Sequence, residues 1–238
     1  MRLIQAIVAV TFVLATGCSH APVMEMGTNP HALLVLACQP GMNVKSVNGS
    51  VWLKAKSKEA SGQFPAVVEA PSPERLKLEV TNLVGGTEAI LTVEGRRYKI
   101  EVPDHKDRDE QGESSWGGIP LQWANALFLG RIPCPDSDLA KEAAFSKDSA
   151  GNLVVETPKT LDRLSEKFVY HLRPLDGGLW PDTLHWEREG IEGSAPVVVD
   201  FKFDDPEVKT HSPQKWEAKG SQGEVRVRWK ERQIEMAR

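Results

Sequence analysis

The chain has 238 residues, of which 40% are hydrophobic and 26% are charged, and its formal net charge is −4. This composition can bury one good-sized core or form a single large β domain. No cluster of Lys and Arg stands out, which argues against nucleic acid as the main partner.

Residues 1–17 have the pattern of a secretory signal peptide. Met1 and Arg2 are followed by an apolar stretch of about a dozen residues, too short to span a bilayer as a mature helix. It ends in Ala15-Thr16-Gly17-Cys18, which resembles a bacterial lipobox. We therefore expect Cys18 to become the acylated first residue of the mature chain. The alternative is a soluble secretory signal with an incidental cysteine.

A triacylated Cys18 would anchor the domain without a transmembrane segment. Each buried methylene contributes about 0.8 kcal/mol, so several acyl chains hold stably where one holds marginally. By resemblance to Gram-negative lipoproteins, Ser19 in place of Asp favours sorting to the outer membrane, with the domain facing the periplasm.

Residues 18–43 are expected to comprise the lipidated cysteine, a tether and a short helix. The helix is predicted in NPHALLVLACQPGM, starting after Asn29-Pro30 and ending before Gly41. From Val44 the pattern changes to alternation, so residues 44–238 are predicted to form one β domain.

Strict alternation of apolar and polar residues predicts antiparallel strands with one dry face. In RLKLEVT, Leu76 and Leu78 lie opposite the charged side chains, and Tyr98 occupies the same kind of position in YKIEV. The same period recurs in EKFVYHLR, VVVDFKF and EVRVRWK. Many short strands joined by Gly-rich turns predict a sandwich or a barrel.

The turn in VTNLVGGTEAIL has unusual chemistry. Leu83 and Val84 directly precede Gly85-Gly86, where turns normally carry Asn, Asp or Ser. Two interpretations stay open. The two side chains contact a membrane or a cargo, or they fold back into the core.

The charged stretch DHKDRDEQGESS, residues 104–115, is predicted to be a solvated loop or a poorly ordered insert. Its acidic residues and His105 could collect a divalent cation, but the interleaved Lys106 and Arg108 argue against a metal site.

One segment, IPLQWANALFLGR, breaks the β pattern. Pro120 suits a first helical turn and Gly130 a stop, and only Gln122 and Asn125 are polar between them. A helix that is apolar nearly all round must be covered on nearly all sides. We take as candidate lid residues Leu121, Trp123, Leu127 and Phe128. A second, more amphipathic helix is predicted in DSDLAKEAAF.

Cys38 and Cys134 remain once Cys18 is assigned to lipid. Two cysteines in an oxidising compartment suggest one disulfide, which would close a loop of roughly a hundred residues and contribute about 4 kcal/mol. Two unpaired buried thiols are the alternative.

Motifs of catalysis are missing from the sequence. It contains no nucleophile elbow, HExxH, CxxC or phosphate-cradling glycine loop. His171 and His185 lie in strand-like segments and are expected to be structural histidines. We therefore expect a binding role, with neither enzymatic activity nor a cofactor nor a bound metal.

Three stretches resemble the lipoprotein carrier and acceptor family LolA/LolB, most closely LolB. They are RLKLEVTNLVGGTEAIL, IPLQWANALFLGRIP and the closing QKWEAKGSQGEVRVRWKERQIE. The resemblance implies a mainly β, single unclosed antiparallel β-barrel, a half-barrel whose mouth is covered by helical lid segments. It also implies an apolar cavity for acyl chains, with the candidate residues Leu76, Leu78 and Tyr98 and the lid residues lining it.

The function expected from this resemblance is insertion of lipoproteins into the outer membrane. The partners would be lipid acyl chains or other lipoproteins and a soluble periplasmic carrier, and the protein is expected to be a monomer. Two alternatives stay open: a lipid-binding or sensing module with a different ligand, and a structural lipoprotein with a filled core.

Overall fold

The computed structural model describes residues 29–57, 61–116, 119–176, 178–191 and 194–237. The predicted signal peptide, Cys18 and most of the tether lie outside these residues. Within them, no helix combines the length and the apolar character needed to cross a membrane.

The described residues form one large sheet, one short hairpin and a few helices. The helices are α1 (Pro30–Cys38), α2 (Leu121–Phe128), α3 (Ser137–Glu142) and a 3₁₀ turn at Lys106–Arg108. The strands are β1 (Val44–Ser57), β2 (Ser61–Ser72), β3 (Arg75–Thr81), β4 (Thr87–Glu94), β5 (Arg97–Glu101), β6 (Glu110–Glu113), β7 (Ser115–Trp116), β8 (Ile119–Pro120), β9 (Ala144–Lys147), β10 (Leu153–Thr157), β11 (Glu166–Leu175), β12 (Gly178–Arg188), β13 (Val197–Pro206), β14 (Pro213–Gly220) and β15 (Gly223–Met236).

The large sheet has 13 antiparallel strands in the order β6-β5-β4-β3-β2-β1-β15-β14-β13-β12-β11-β10-β9. Two meanders are therefore joined by the ladder between β1 and β15, which runs from Val44 opposite Met236 to Ser57 opposite Gly223. The edge strands β6 and β9 do not pair with each other, so the barrel is unclosed. The predicted fold class is confirmed.

The sheet curves around α2. This helix packs on β2 and β3, and its Trp123 also touches Trp186 of β12. In a flat sheet β3 and β12 would lie six strand spacings apart, about 29 Å. An eight-residue helix is only about 12 Å long, so the sheet must bend to bring both flanks to it. The apolar core lies on the concave side.

The predicted helices begin and end close to the expected residues. Asn29 caps α1, because its side-chain oxygen accepts a hydrogen bond from the His31 N–H at 3.0 Å. α1 packs on β9, β10 and β12. The DSDLAKEAAF stretch is helical only to Glu142, after which Ala144 starts the edge strand β9.

The prediction for residues 104–115 is only half right. The segment is largely exposed, but it has regular structure: Glu110–Glu113 forms β6 and pairs with β5. Asp109 helps to hold the preceding turn, because its carboxylate accepts a hydrogen bond from the Val102 N–H at 2.8 Å. Both faces of this edge strand are wet, and therefore no hydrophobic alternation marks it.

Each of the two strand histidines has a carboxylate partner, as expected of satisfied strand histidines. His171 contacts the carboxylate of Asp182, and His185 contacts that of Asp200 at 2.7 Å. Both pairs lie on the solvated face of the sheet.

Candidate functional site

The apolar helix α2 lies on the concave face of the sheet. Six of its eight residues are buried, in agreement with the prediction that it must be covered on nearly all sides. Pro120 precedes it in extended conformation, and Gly130 ends it with φ +78°. A Cβ at Gly130 would lie 2.0 Å from the Arg232 guanidinium, so this stop requires glycine.

Aromatic rings hold α2 in place. Trp123 packs edge-on against Trp186 with ring centroids 4.4 Å apart, and against Phe168 and Phe201 at 5.8 and 6.0 Å. Edge-to-face pairs of this kind contribute about 0.5–1.5 kcal/mol each beyond the area they bury. Trp123 therefore connects α2 to β11, β12 and β13 on the far flank of the sheet.

The structure brings most of the predicted cavity residues into one buried cluster. Each of them is at most 4% exposed: Leu76, Leu78, Leu121, Trp123, Leu127 and Phe128. Leu76 and Leu78 lie on β3, one of the strands that α2 covers. These side chains pack together between helix and sheet, an arrangement that we call the closed state.

Tyr98 lies at the border of this cluster. It is half-buried on β5, and its hydroxyl donates a hydrogen bond to the carboxylate of Glu110 on the edge strand. This hydrogen bond, together with burial, raises the pKa of Tyr98 to about 12. The phenol therefore stays protonated at neutral pH and connects the core to the rim.

Asn125 is a polar residue in an apolar position. It is 1% exposed on α2, and neither its amide nitrogen nor its amide oxygen has a hydrogen-bond partner among the described residues. A buried polar group without a partner costs about 1–3 kcal/mol. The packing of α2 against the sheet is therefore less stable than its apolar contacts alone would make it.

The segment that follows α2 is attached at three points. The Arg131 guanidinium donates to the Val44 carbonyl at 2.7 Å, and the buried Tyr170 hydroxyl donates to the Pro133 carbonyl at 2.9 Å. The third point is the predicted disulfide, which joins Cys134 to Cys38 at the end of α1 and is confirmed. Burial raises the pKa of Tyr170 well above its ordinary value, so its hydroxyl remains a donor.

The other end of α2 has fewer hydrogen bonds to distant strands among the described residues. It is preceded by the hairpin of β7 and β8, two residues a strand, and the Leu121 N–H donates to the Ser114 carbonyl at 3.1 Å. Among the described residues, the disulfide and the hydrogen bonds to distant strands therefore lie at the carboxyl end of α2, whereas its amino end is held by packing of the buried Leu121 and Trp123.

The turn between β3 and β4, residues 82–86, forms an apolar tip. Leu83 is 82% and Val84 92% exposed, so the alternative in which they fold into the core is not what the structure shows. Asn82 builds the turn, because its side-chain oxygen accepts hydrogen bonds from the N–H groups of Val84 at 3.1 Å and Gly86 at 2.8 Å. The tip therefore holds both apolar side chains out in water.

Three grooves on the described surface have charged linings, unlike the apolar interior. One crosses β13 to β2 on the outer face, a second lies at the ends of β10, β11 and β12, and a third lies on β4, β5 and β6. Charged side chains dominate all three. The buried apolar side chains gather instead between α2 and the sheet, so we take that region as the candidate site for apolar chains.

Three important residues were not singled out as site residues from the sequence: Phe168, Trp186 and Phe201. Phe168 and Phe201 lie on the dry faces of predicted strands, but the sequence pattern does not say which strand faces which helix. The unpaired state of Asn125 has no signal in the sequence either, because it depends on what surrounds the side chain.

An open antiparallel half-barrel with an apolar concave face under a helix defines the class of fold. A LolA superfamily protein of Nitrosomonas europaea is 9% identical to this chain, over 89% of this chain and 96% of that one, with a TM-score of 0.52. This likeness shows that the two proteins share a fold, as the sequence resemblance predicted.

Two further solved structures align less well. A proposed outer membrane lipoprotein-sorting protein domain of Vibrio parahaemolyticus is 8% identical, over 80% of this chain and 86% of that one, with a TM-score of 0.49. The lipoprotein LppX of Mycobacterium tuberculosis is 13% identical, over 85% and 95%, with a TM-score of 0.33. No protein-family model matches the sequence, and no curated protein does.

Proposed function

We propose that this protein is an outer-membrane lipoprotein, anchored through Cys18, that binds the acyl chains of other lipoproteins and helps to insert them into the outer membrane, as LolB-like proteins do. Its role is binding and transfer without catalysis. The observation that carries the proposal is the apolar concave face of the half-barrel under α2, a helix whose carboxyl-terminal flank is tied to α1 by the disulfide. The fold shared with a LolA superfamily protein supports it.

Acyl chains would enter by displacing α2. The carboxyl end of the helix is held by the Cys38–Cys134 disulfide and by hydrogen bonds, so the amino end moves. Displacement exposes Trp123 and its neighbours on the sheet, and the acyl chains then cover the same apolar area. Burial contributes about 25 cal/mol per Å² whether α2 or the acyl chains cover the area. The free energy lost when α2 leaves is therefore similar to the free energy gained when the acyl chains bind.

Release would be directed by the apolar tip. Leu83 and Val84 enter the bilayer or touch the incoming cargo and bring the loaded half-barrel to the membrane. A soluble periplasmic carrier would deliver the cargo. Transfer between two similar apolar sites is nearly balanced, and the final step into the bilayer makes it downhill.

Replacing Asn125 by Leu should stabilise the closed state. The change removes a buried amide without partners, and we expect the free energy of unfolding to rise by about 1–3 kcal/mol. The same gain opposes displacement of α2, so acyl loading should slow by about 5-fold or more. Urea unfolding and the uptake rate of a fluorescent fatty acid measure the two effects.

Gln122→Leu is the matched control, because Gln122 is exposed on the same helix. It should change neither quantity by a comparable amount. Faster loading of Asn125→Leu would contradict the role of α2 as a lid.

The proposal itself is tested by the lipid that the protein carries. We expect native mass spectrometry of the full exported chain with Cys18→Ser, purified from its host, to show a bound acylated species. Depletion of the protein in the host should leave other lipoproteins in the periplasm or the inner membrane. An empty protein and normal lipoprotein localisation would favour the second candidate, a structural envelope lipoprotein, which the filled interior of the closed state supports.

A further inference from the structure

A basic groove of about 480 Å³ crosses the outer face of the sheet over β2, β1, β15, β14 and β13. Its lining carries five cations and two carboxylates, a net charge of +3. The charged residues are Lys54, Lys202, Lys215, Arg226 and Arg228 against Asp204 and Glu217. The chain as a whole has a net charge of −4, so this groove stands out from the rest of the surface.

Like charges face each other across the strands of the basic groove. Lys54 lies directly opposite Arg226 in the β1–β15 ladder, and Arg228 lies directly opposite Lys215 in the β15–β14 ladder. Like charges in opposed positions destabilise a sheet. The neighbouring ladders place Glu217 opposite Arg226 and Asp204 opposite Lys215, so carboxylates offset one cation of each like-charge pair. Lys54 and Arg228 keep the uncompensated charge, which a bound anion would neutralise.

Carboxylates neutralise the basic groove only in part. Arg226 forms ion pairs with Glu217 at 2.9 Å and Glu224 at 2.5 Å. The other two paired cations are Lys215, with Asp205 at 2.7 Å, and Lys202, with Asp204 at 3.8 Å. Among the described residues, neither Lys54 nor Arg228 has a carboxylate within 4 Å. Two cations of the groove are therefore available to a ligand.

Trp52 adds an aromatic surface to the basic groove. Its half-buried ring lies in the lining, and the Lys230 ammonium lies 5.1 Å from the ring centroid. A tryptophan beside Lys and Arg side chains is the combination that proteins place at the boundary between lipid and water.

The basic groove and the apolar tip lie at the same end of the sheet. The Thr81 hydroxyl donates to the Pro65 carbonyl at 3.3 Å, Pro65 lies opposite Trp52, and Trp52 lies opposite Arg228. Thr81 directly precedes the tip, and three strand spacings of about 4.8 Å separate its strand from that of Arg228. About 14 Å of sheet thus separates Thr81, the residue before the tip, from Arg228 in the groove, close enough for tip and groove to meet one surface together.

An acidic groove lies at the same end of the sheet but on the other flank. Four carboxylates and one lysine line it on β10, β11 and β12: Glu156, Glu166, Glu187, Glu189 and Lys167. An anionic surface would attract the basic flank and repel the acidic one. This charge asymmetry would orient the half-barrel so that the flank with the basic groove and the apolar tip faces an anionic surface.

We propose that the basic groove binds the phosphate groups of anionic lipids in the membrane that the apolar tip enters. This inference rests on the proposed function, which supplies the membrane as the target. It adds the class of lipid that is bound and the orientation of the half-barrel at the membrane. The Lys54 and Arg228 side chains contact the phosphates, and Trp52 lies at the level of the headgroups. Electrostatic attraction of this kind falls with added salt.

The test compares Lys54→Gln/Arg228→Gln with the control Lys147→Gln/Lys209→Gln, which removes the same charge from exposed lysines outside the groove. Every protein is the full exported chain with Cys18→Ser, so that no lipid anchor contributes. Binding is measured on phosphatidylcholine vesicles with and without phosphatidylglycerol. We expect the groove variant to bind anionic vesicles about 30-fold more weakly, about 5-fold for each charge, and to lose part of its salt dependence.

Equal losses in both variants, or no loss in the groove variant, would overturn the proposal. Tighter binding to soluble polyphosphate than to anionic vesicles would overturn the lipid as ligand. The melting temperature of the groove variant should stay level or rise, because two repulsive pairs are removed. If it falls, the single variant Lys54→Gln is used instead, and it should bind anionic vesicles about 5-fold more weakly. Lipid occupancy of the interior is measured separately, so an empty interior counts against the proposed function and not against the groove.

Discussion

Replacing Leu83 and Val84 by Glu should leave a folded, lipid-loaded protein that no longer releases its cargo into a membrane. Both side chains are more than four-fifths exposed, so the free energy of unfolding should change by no more than about 0.5 kcal/mol. Burial of a Leu or Val side chain contributes about 1.5–3 kcal/mol, and the variant loses two such contacts with the bilayer. We therefore expect transfer of a labelled lipoprotein into vesicles to slow at least 100-fold.

The control places the same two charges at the opposite end of the sheet. Met42 and Val208 are 57% and 84% exposed there, and Met42→Glu/Val208→Glu should transfer cargo at the normal rate. Normal transfer by Leu83→Glu/Val84→Glu would exclude the tip as a membrane or cargo contact. Loss of transfer in both variants would point to a general charge effect.

Removing the disulfide should produce the largest loss of stability. Cys38 and Cys134 are 96 positions apart, and a bridge that closes a loop of this length contributes about 4 kcal/mol to the free energy of unfolding. We expect Cys38→Ala/Cys134→Ala to lose about this amount in urea unfolding. It should also load acyl chains faster, because one of the three attachments at the carboxyl end of α2 is gone.

The reduced wild-type chain serves as its own control, since it lacks the bridge but keeps both side chains. Its unfolding midpoint should match that of the double variant. An oxidised wild type no more stable than the variant would mean that the bridge does not stabilise the domain.

Local patterns in the sequence predicted most of the fold. RLKLEVT corresponds to β3 residue for residue, because a strand with one dry face must alternate. The IPLQWANALFLGR helix followed from its proline, its glycine and its apolar character. The pairing of β1 with β15 had no local signal, since it joins segments such as Lys45 and Glu235 that are 190 residues apart.

The candidate site was predictable only in part. The lid residues and the apolar tip follow from apolar side chains in unusual places. The cross-sheet contacts of Trp123 and the missing partners of Asn125 depend on how the sheet bends, which no local pattern records. The basic groove could not be predicted from the sequence either, because its cations come from four different strands and are brought together only by the register of the ladders.

The ladder between β1 and β15 has a consequence for the export that we propose. The middle of the sheet is closed by a strand near the start of the domain and one that leaves the ribosome and the translocation channel almost 200 residues later. Contacts of such long separation form late in folding. The half-barrel therefore cannot form before nearly all of the domain is available. Under the proposed export, the chain would stay unfolded, and able to pass the translocation channel, until its passage is nearly complete.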